Sequence, residues 1–345
     1  MKKLWIAVLT LVIVAASCTF WFFTLKNPQE KVGVKVVDQL GREVYVEKAE
    51  RIVSLWPEAT RVLFALGVGD KVVGLDSSSR TCPILTRAFP QIVNITDVGS
   101  VGGTFDIEKI AKLRPDIIFM RTDDRELAES IQTKLNVPVI CVRFNPPGKR
   151  DWSYDIISII GAAIGKKERA YQLRAYLEGK LSKITKITSA IPDSEKPKVY
   201  QAFAYDLLKT QAWSSEIIYG GGINVAYDPQ KPIWYSVSLE QVISWNPDII
   251  ILHGFGKFKP EDLYNNPDWQ SIRAVREGRV YKLTIGWTGW DLAGTVIQTM
   301  QCAKVFYPDK FKDLDVEAEA NEIFKVVYGV EGLYSRLKRD YGLSI

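Results

Sequence analysis

The sequence predicts an α/β protein built as two Rossmann-like lobes with parallel sheets, joined by a single long α-helix and separated by a cleft. Three observations carry this. A helix–strand phrase occurs twice, apolar strands alternate with helical patterns throughout, and one long uninterrupted helical stretch sits in mid-chain. The phrase is "DIEKIAKLRPDIIFM" at 106–120 and "SLEQVISWNPDIIIL" at 238–252, 132 residues apart. The copies are identical at Glu108/Glu240, Pro115/Pro247, Asp116/Asp248, Ile117/Ile249 and Ile118/Ile250. That separation far exceeds the roughly 20–50-residue period of a solenoid, so the copies are equivalent parts of two lobes. In each, Asp106 or Ser238 is a good N-cap, and Ser238 with Gln241 spells a capping box. Apolar residues at i, i+3 and i+4 face a sheet, proline ends the helix, and "DII" drops into a buried strand.

The remaining elements follow in order. "NPQEK" (27–31) is a polar linker, and 34–48 read as a hairpin around Leu40-Gly41. "RIVSLW" (51–56) is a strand, and Pro57 opens a helix at its first position, stopping at Gly67. Strand 71–76, a loop with Arg80 and Cys82, the first repeat, a helix at 124–134 and strand 137–144 complete one series. The strands are continuously apolar, as strands covered on both faces are. A helix at 154–165 precedes the long one, 167–190, which at about 1.5 Å per residue spans roughly 35 Å. After "IPDSEKP" (191–197) a second series runs through strand 198–205, a helix near 214–219, the "GGG" turn at 220–222, the second repeat and strand 279–284. Helices at 292–306, 314–327 and 330–341 close the chain. The divisions are therefore 1–26, an N-terminal signal or anchor; 33–150, the first lobe; 151–192, a helical segment with the connector; and 193–345, the second lobe with terminal helices.

Composition narrows the function classes. Of 345 residues, 47% are hydrophobic and 25% charged, and the net charge of +5 gathers in no basic run, which argues against nucleic-acid binding. His253 is the one histidine, so a histidine-based triad is nearly excluded and a multi-histidine metal site wholly so. Cys18, Cys82, Cys141 and Cys302 form no CxxC. Neither an enzyme nor a resident cofactor or metal is expected. "GGG" lacks the pattern of a phosphate loop and reads as a helix cap and turn. Cys82 and Cys141 are candidates for a disulfide, but an apolar strand around Cys141 favours buried thiols.

Lys2 and Lys3 precede an uncharged run from Leu4 to Leu25, closed by Lys26. Cys18 follows Ala15-Ala16-Ser17, small residues of the kind a signal peptidase accepts. Two readings stand: a lipoprotein signal lipidated at Cys18, or an uncleaved anchor helix, since about 20 apolar residues span a bilayer. Both put the body outside the cell membrane and tethered to it.

The segments "RIVSLWPEATRVLFALGVGDKVVG" (51–74), "VGSVGGTFDIEKIAKLRPDIIF" (98–119), "IIGAAIGKKERAYQLRAYLEGKL" (159–181), "SSEIIYGGGINVA" (214–226) and "WYSVSLEQVISWNPDIIIL" (234–252) together resemble the helical-backbone class of extracytoplasmic substrate-binding proteins of ABC importers. These serve importers of ferric siderophores, haem and cobalamin. Arg61 departs from the pattern, since the family often carries Glu there. The resemblance implies a monomer that captures a metal chelate, a ferric siderophore first, between its lobes and delivers it to a permease dimer with a cytoplasmic ATPase. It also implies that Glu108 and Glu240 dock onto arginines of the membrane subunits. The plainer reading of both is helix-dipole complementarity. A corrinoid, haem or oxyanion ligand, or a membrane-tethered sensor, stays open. A two-lobed glycosyltransferase shares the architecture by analogy only, and a nitrogenase-type protein would need cysteine ligands that this chain lacks.

The expected cleft lining is Trp56, Ser77, Arg80, Arg121, Arg143, Trp213, Trp234, Tyr235, His253, Trp287 and Trp290. Arg121 and His253 each directly follow a repeated strand. For His253 a hydrogen-bonded structural role is equally open. Ten tryptophans are many, and those in "PIWYS" (232–236) and "IGWTGW" (285–290) suggest an aromatic wall, each with a core role as its alternative. The arginines suit an anionic ligand through bidentate pairing, with solvated surface as the alternative.

Overall fold

The computed structural model describes residues 33–123, 125–145, 153–284 and 290–345. The hairpin is present: β1 (Val34–Val37) pairs antiparallel with β2 (Glu43–Val46). The first lobe holds a five-stranded parallel sheet of β3 (Ile52–Ser54), β4 (Val72–Leu75), β5 (Thr96–Asp97), β6 (Ile117–Met120) and β7 (Val139–Cys141), in the order β5-β4-β3-β6-β7. Its main helices are α1 (Pro57–Ala65), α2 (Pro83–Ala88), α3 (Ile107–Leu113) and α4 (Arg125–Leu135). Next come α5 (Asp155–Ala163) and the 22-residue connector α6 (Lys167–Thr188).

In the second lobe, β8 (Lys198–Gln201), β10 (Ile223–Asn224), β12 (Ile249–His253) and β13 (Val280–Leu283) form a parallel sheet in the order β10-β8-β12-β13. Strand β8 is shorter than expected, ending at Gln201. The chain then turns into β9 (Lys209–Gln211), which pairs antiparallel with β11 (Trp234–Ser236). So "PIWYS" is partly strand rather than loop. Helix α7 (Ser215–Tyr219) ends at the glycine run, where Gly221 has φ +90 and a Cβ would meet Tyr307 and Thr188. That run is a tight turn packed between the end of the connector and the C-terminal part of the helix at 292–306.

The repeat is now explicable bond by bond. Asp106 accepts from the Lys109 N–H at 2.8 Å and Ser238 from the Gln241 N–H at 3.2 Å, capping α3 and α8 (Leu239–Trp245). Of the capping box expected at Ser238 and Gln241, this bond from the Gln241 N–H to the serine is present. Both helices stop in left-handed residues, Arg114 at φ 47 and Asn246 at φ 42. The aspartate after each proline then ties down the start of the neighbouring strand. Asp116 accepts from the Arg51 N–H at 3.0 Å, and Asp248 from the Lys198 N–H at 2.9 Å. The repeated phrase is therefore a device that starts two strands in register.

Helix α9 (Leu292–Phe306) is buried along almost its entire length. Leu292, Val296, Ile297 and Met300 join the large core with α1, α5 and α6, while Cys302, Val305 and Phe306 pack on the second sheet. Its buried Thr295 and Thr299 hydroxyls donate to carbonyls one turn back, at 2.7 and 2.9 Å. Helices α10 (Val316–Tyr328) and α11 (Leu333–Tyr341) lie against α1 and α2 of the first lobe. Arg87 of α2 pairs with Asp340 at 2.9 Å. The terminal helices, assigned by sequence to the second lobe, thus pack back onto the first. Cys82, Cys141 and Cys302 are buried thiols, not disulfides.

Candidate functional site

In a parallel sheet the loops from adjacent strands part to opposite faces wherever the strand order reverses, and a crevice opens at the strands' carboxyl ends. The first sheet reverses between β3 and β6, and the second between β8 and β12. Both reversals carry facing side chains. Trp56 follows β3 and Arg121 follows β6, and the guanidinium carbon lies 5.6 Å from the indole ring centroid. Phe203, just beyond β8, and His253, the last residue of β12, have ring centroids 6.4 Å apart. The two lobes thus each present a cationic or imidazole group against an aromatic ring at the equivalent point of the fold.

Trp56 is 6% exposed, and its indole N–H donates to Glu58 at 2.9 Å. Arg121 pairs with Asp123 at 3.3 Å, and Arg143, leaving β7, pairs with the same carboxylate and donates to Asn145 at 3.0 Å. Two guanidiniums thus share that one carboxylate. A cavity of about 180 Å³ is lined by Leu55, Val101, Gly102, Gly103, Phe105 and Arg121 among others. Ser77 and Arg80 form a separate set. Ser77 donates to Asp97 at 2.9 Å, Arg80 pairs with Asp97 at 3.3 Å and also donates to the Val93 carbonyl. They bind the ends of β4 and β5 together, one strand away from the reversal.

On the second lobe, Trp234 packs edge-on to Phe203 at 4.8 Å, and Lys209 lies 4.9 Å from the Phe203 ring centroid. Tyr235 donates its hydroxyl to the Ala226 carbonyl at 2.7 Å, with Lys231 6.0 Å from its ring. Trp213 donates to Ser215 at 2.9 Å and meets Tyr227 at 5.7 Å. Tyr205 and Tyr227 are more than half exposed. His253 is only 7% exposed, and its Nδ1 accepts from the Phe255 N–H at 3.2 Å, so the backbone fixes its ring. Phe203, Tyr205 and Tyr227 were not expected from sequence. The available signal is weak: Phe203 and Tyr205 fall within the segment 198–205 that the sequence predicts as strand, and no strand is predicted directly before Tyr227. Trp287 and Cys18 lie outside the described residues. Among the described residues no helix is long and apolar enough to cross a membrane, and no cluster of three or more His, Cys, Asp or Glu side chains is placed to hold a metal ion.

Glu108 and Glu240 stand exposed in the first turns of α3 and α8. The Glu240 carboxyl is held below its usual range by its own backbone N–H and the Ser238 hydroxyl.

Comparison with known proteins agrees with the two-lobed α/β fold. Residues 52–284 match a family model described as periplasmic binding protein. YvrC of Bacillus subtilis, an uncharacterized ABC transporter substrate-binding lipoprotein, is 25% identical over 295 residues, covering 84% of this chain and 90% of its own. The vitamin B12-binding protein of Vibrio cholerae is 28% identical over 253 residues, covering 69% and 82%. The solved structure of the Haemophilus influenzae molybdate-binding protein MolA, bound to molybdate, matches with a TM-score of 0.76 at 20% identity, over 86% of this chain and 98% of that one.

Proposed function

Because the chain belongs to the periplasmic binding protein family, an extracytoplasmic substrate-binding component of ABC transporters for metal or chelate ligands, we propose that its ligand is a metal chelate, a ferric siderophore first, held without turnover. The observation that carries this is the pair of strand-order reversals, each lined by an aromatic ring and a cation or imidazole. A planar or chelated anion meets ring faces and positive charge from both lobes there. Haem and corrinoids share that chemistry. An oxyanion is the second reading, supported by the 180 Å³ cavity at Arg121 and by the relative named for molybdate.

Tryptophan fluorescence is the test, titrated with ferric siderophores, haemin, cyanocobalamin and molybdate. One saturable ligand is expected; silence for all of them overturns the proposal. The same reading has Glu108 and Glu240 as docking charges for the permease, and the N-terminal segment as the tether to the membrane, through a lipid on Cys18 or as an anchor helix.

A further inference from the structure

Helix α1 carries two opposite charges one turn apart, Glu58 and Arg61, which are 1% and 0% exposed. A buried charge is costly unless its hydrogen-bonding capacity is met. Here it is met largely by the margins of the cleft. Glu58 accepts the Trp56 indole N–H at 2.9 Å and the Phe144 N–H at 2.6 Å on one oxygen, and the Trp290 N–H at 3.0 Å on the other. Arg61 donates to the Trp290 carbonyl at 2.7 and 3.2 Å, and its guanidinium lies 3.5 Å from the Asp291 carboxylate. Asp291 caps α9 through the Ala293 and Gly294 N–H groups at 3.0 and 2.6 Å, and accepts from the Tyr328 hydroxyl at 3.0 Å.

These bonds converge on one residue. The N–H of Trp290 goes to the acid of α1 and its C=O to the base. Trp290 directly precedes Asp291, the N-cap of α9. The other two donors to Glu58 come from the loops after β3 and β7. One side-chain pair therefore holds the loops after β3 and β7 together with the start of α9, the helix that packs on both the first-lobe core and the second sheet.

We propose that Glu58 and Arg61 form a two-charge clasp that sets the relative position of the cleft walls, and that Glu58 is a positioning residue for ligand capture through Trp56. The proposal rests on the cleft being the ligand site, but the clasp can be tested apart from it. A carboxylate in this place accepts three N–H donors; an amide offers one acceptor and adds two N–H groups that face donors. Removing charge without changing shape should therefore disturb Trp56 and Trp290 together.

The experiment uses protein labelled with 5-fluorotryptophan, its Trp56 and Trp290 fluorine resonances assigned from Trp56→Phe and Trp290→Phe. In Glu58→Gln both resonances should shift or broaden while the remaining tryptophan signals stay in place. In Arg61→Lys the Trp290 signal should move and the Trp56 signal should not. Among molybdate, cyanocobalamin, haemin and a ferric hydroxamate, whichever binds the unsubstituted protein should bind Glu58→Gln at least tenfold more weakly. Glu58→Gln with both resonances unmoved, or with affinity within twofold, overturns the proposal. If no probe binds, the ligand reading fails, while the resonance shifts still decide the clasp.

Discussion

Asp76 follows β4 and is fully buried, accepting from the N–H and hydroxyl of Ser79. Burial raises its carboxyl to about 6, against a smaller opposing pull from these bonds and from Arg61. A raised folded value means that the protonated acid is favoured in the native state. Its contribution to stability is thus fully present below about pH 4 and is lost as pH rises through about 6. A tenfold difference in acidity between the folded and unfolded carboxyl corresponds to roughly 1.4 kcal/mol. Asp76→Asn keeps a capping oxygen and does not ionise. The stability of the unsubstituted protein relative to this variant should fall by roughly 2–3 kcal/mol between pH 4 and 7 and then level. Urea melts across that range measure it; a flat difference would refute the assignment. At this scale the sequence was partly legible. Arg121 and His253 stand out because the repeat marks the ends of their strands. Phe203 does not, because nothing local signals that β8 stops at Gln201. Glu58 was invisible as a hub, since its partners Phe144 and Trp290 lie 86 and 232 residues away.

Among the elements, the repeated Pro-Asp makes the sharpest claim. The Asp116 carboxylate accepts from the N–H groups of Glu50 and Arg51 and pairs with Lys48, and its side chain is 7% exposed. Asp116→Ala leaves those donors without their acceptor and should cost about 1–3 kcal/mol. Glu108→Ala, two turns earlier and exposed, should stay within about 0.5 kcal/mol. Thermal melts of the two variants separate them; equal losses would contradict the strand-starting role. Helices α3 and α8 were legible because cap, apolar period and proline all agreed. The β9–β11 pair was not, being two three-residue strands whose pairing depends on long-range contact rather than on local pattern.

For the whole molecule, the sequence reading of two lobes and a connecting helix holds, but the return of α9, α10 and α11 to the first lobe did not show in the sequence. Helix α9, buried on nearly every side, has no periodic polar face to reveal which lobe it serves, and the apolar faces of α10 and α11 do not say which lobe they cover. This packing fixes the lobes along both α6 and α9, so ligand capture should involve small relative motion rather than wide closure. It also presents Glu108 and Glu240 as two exposed charges, one per lobe. Reversing both to Arg should leave melting temperature and ligand affinity nearly unchanged, because exposed charges contribute little to stability. Uptake by whole cells should fall sharply, through like-charge repulsion at the permease. Normal uptake by the double variant would reduce them to good helix starts.

One ligand held at both strand-order reversals is tested most directly by calorimetric titration of the bound probe into Arg121→Ala and Phe203→Ala. Each substitution, one per lobe, should weaken binding about tenfold or more, equivalent to at least roughly 1.4 kcal/mol. Both variants should melt close to the unsubstituted protein. Full affinity in either variant would show that the ligand does not bridge the two reversals.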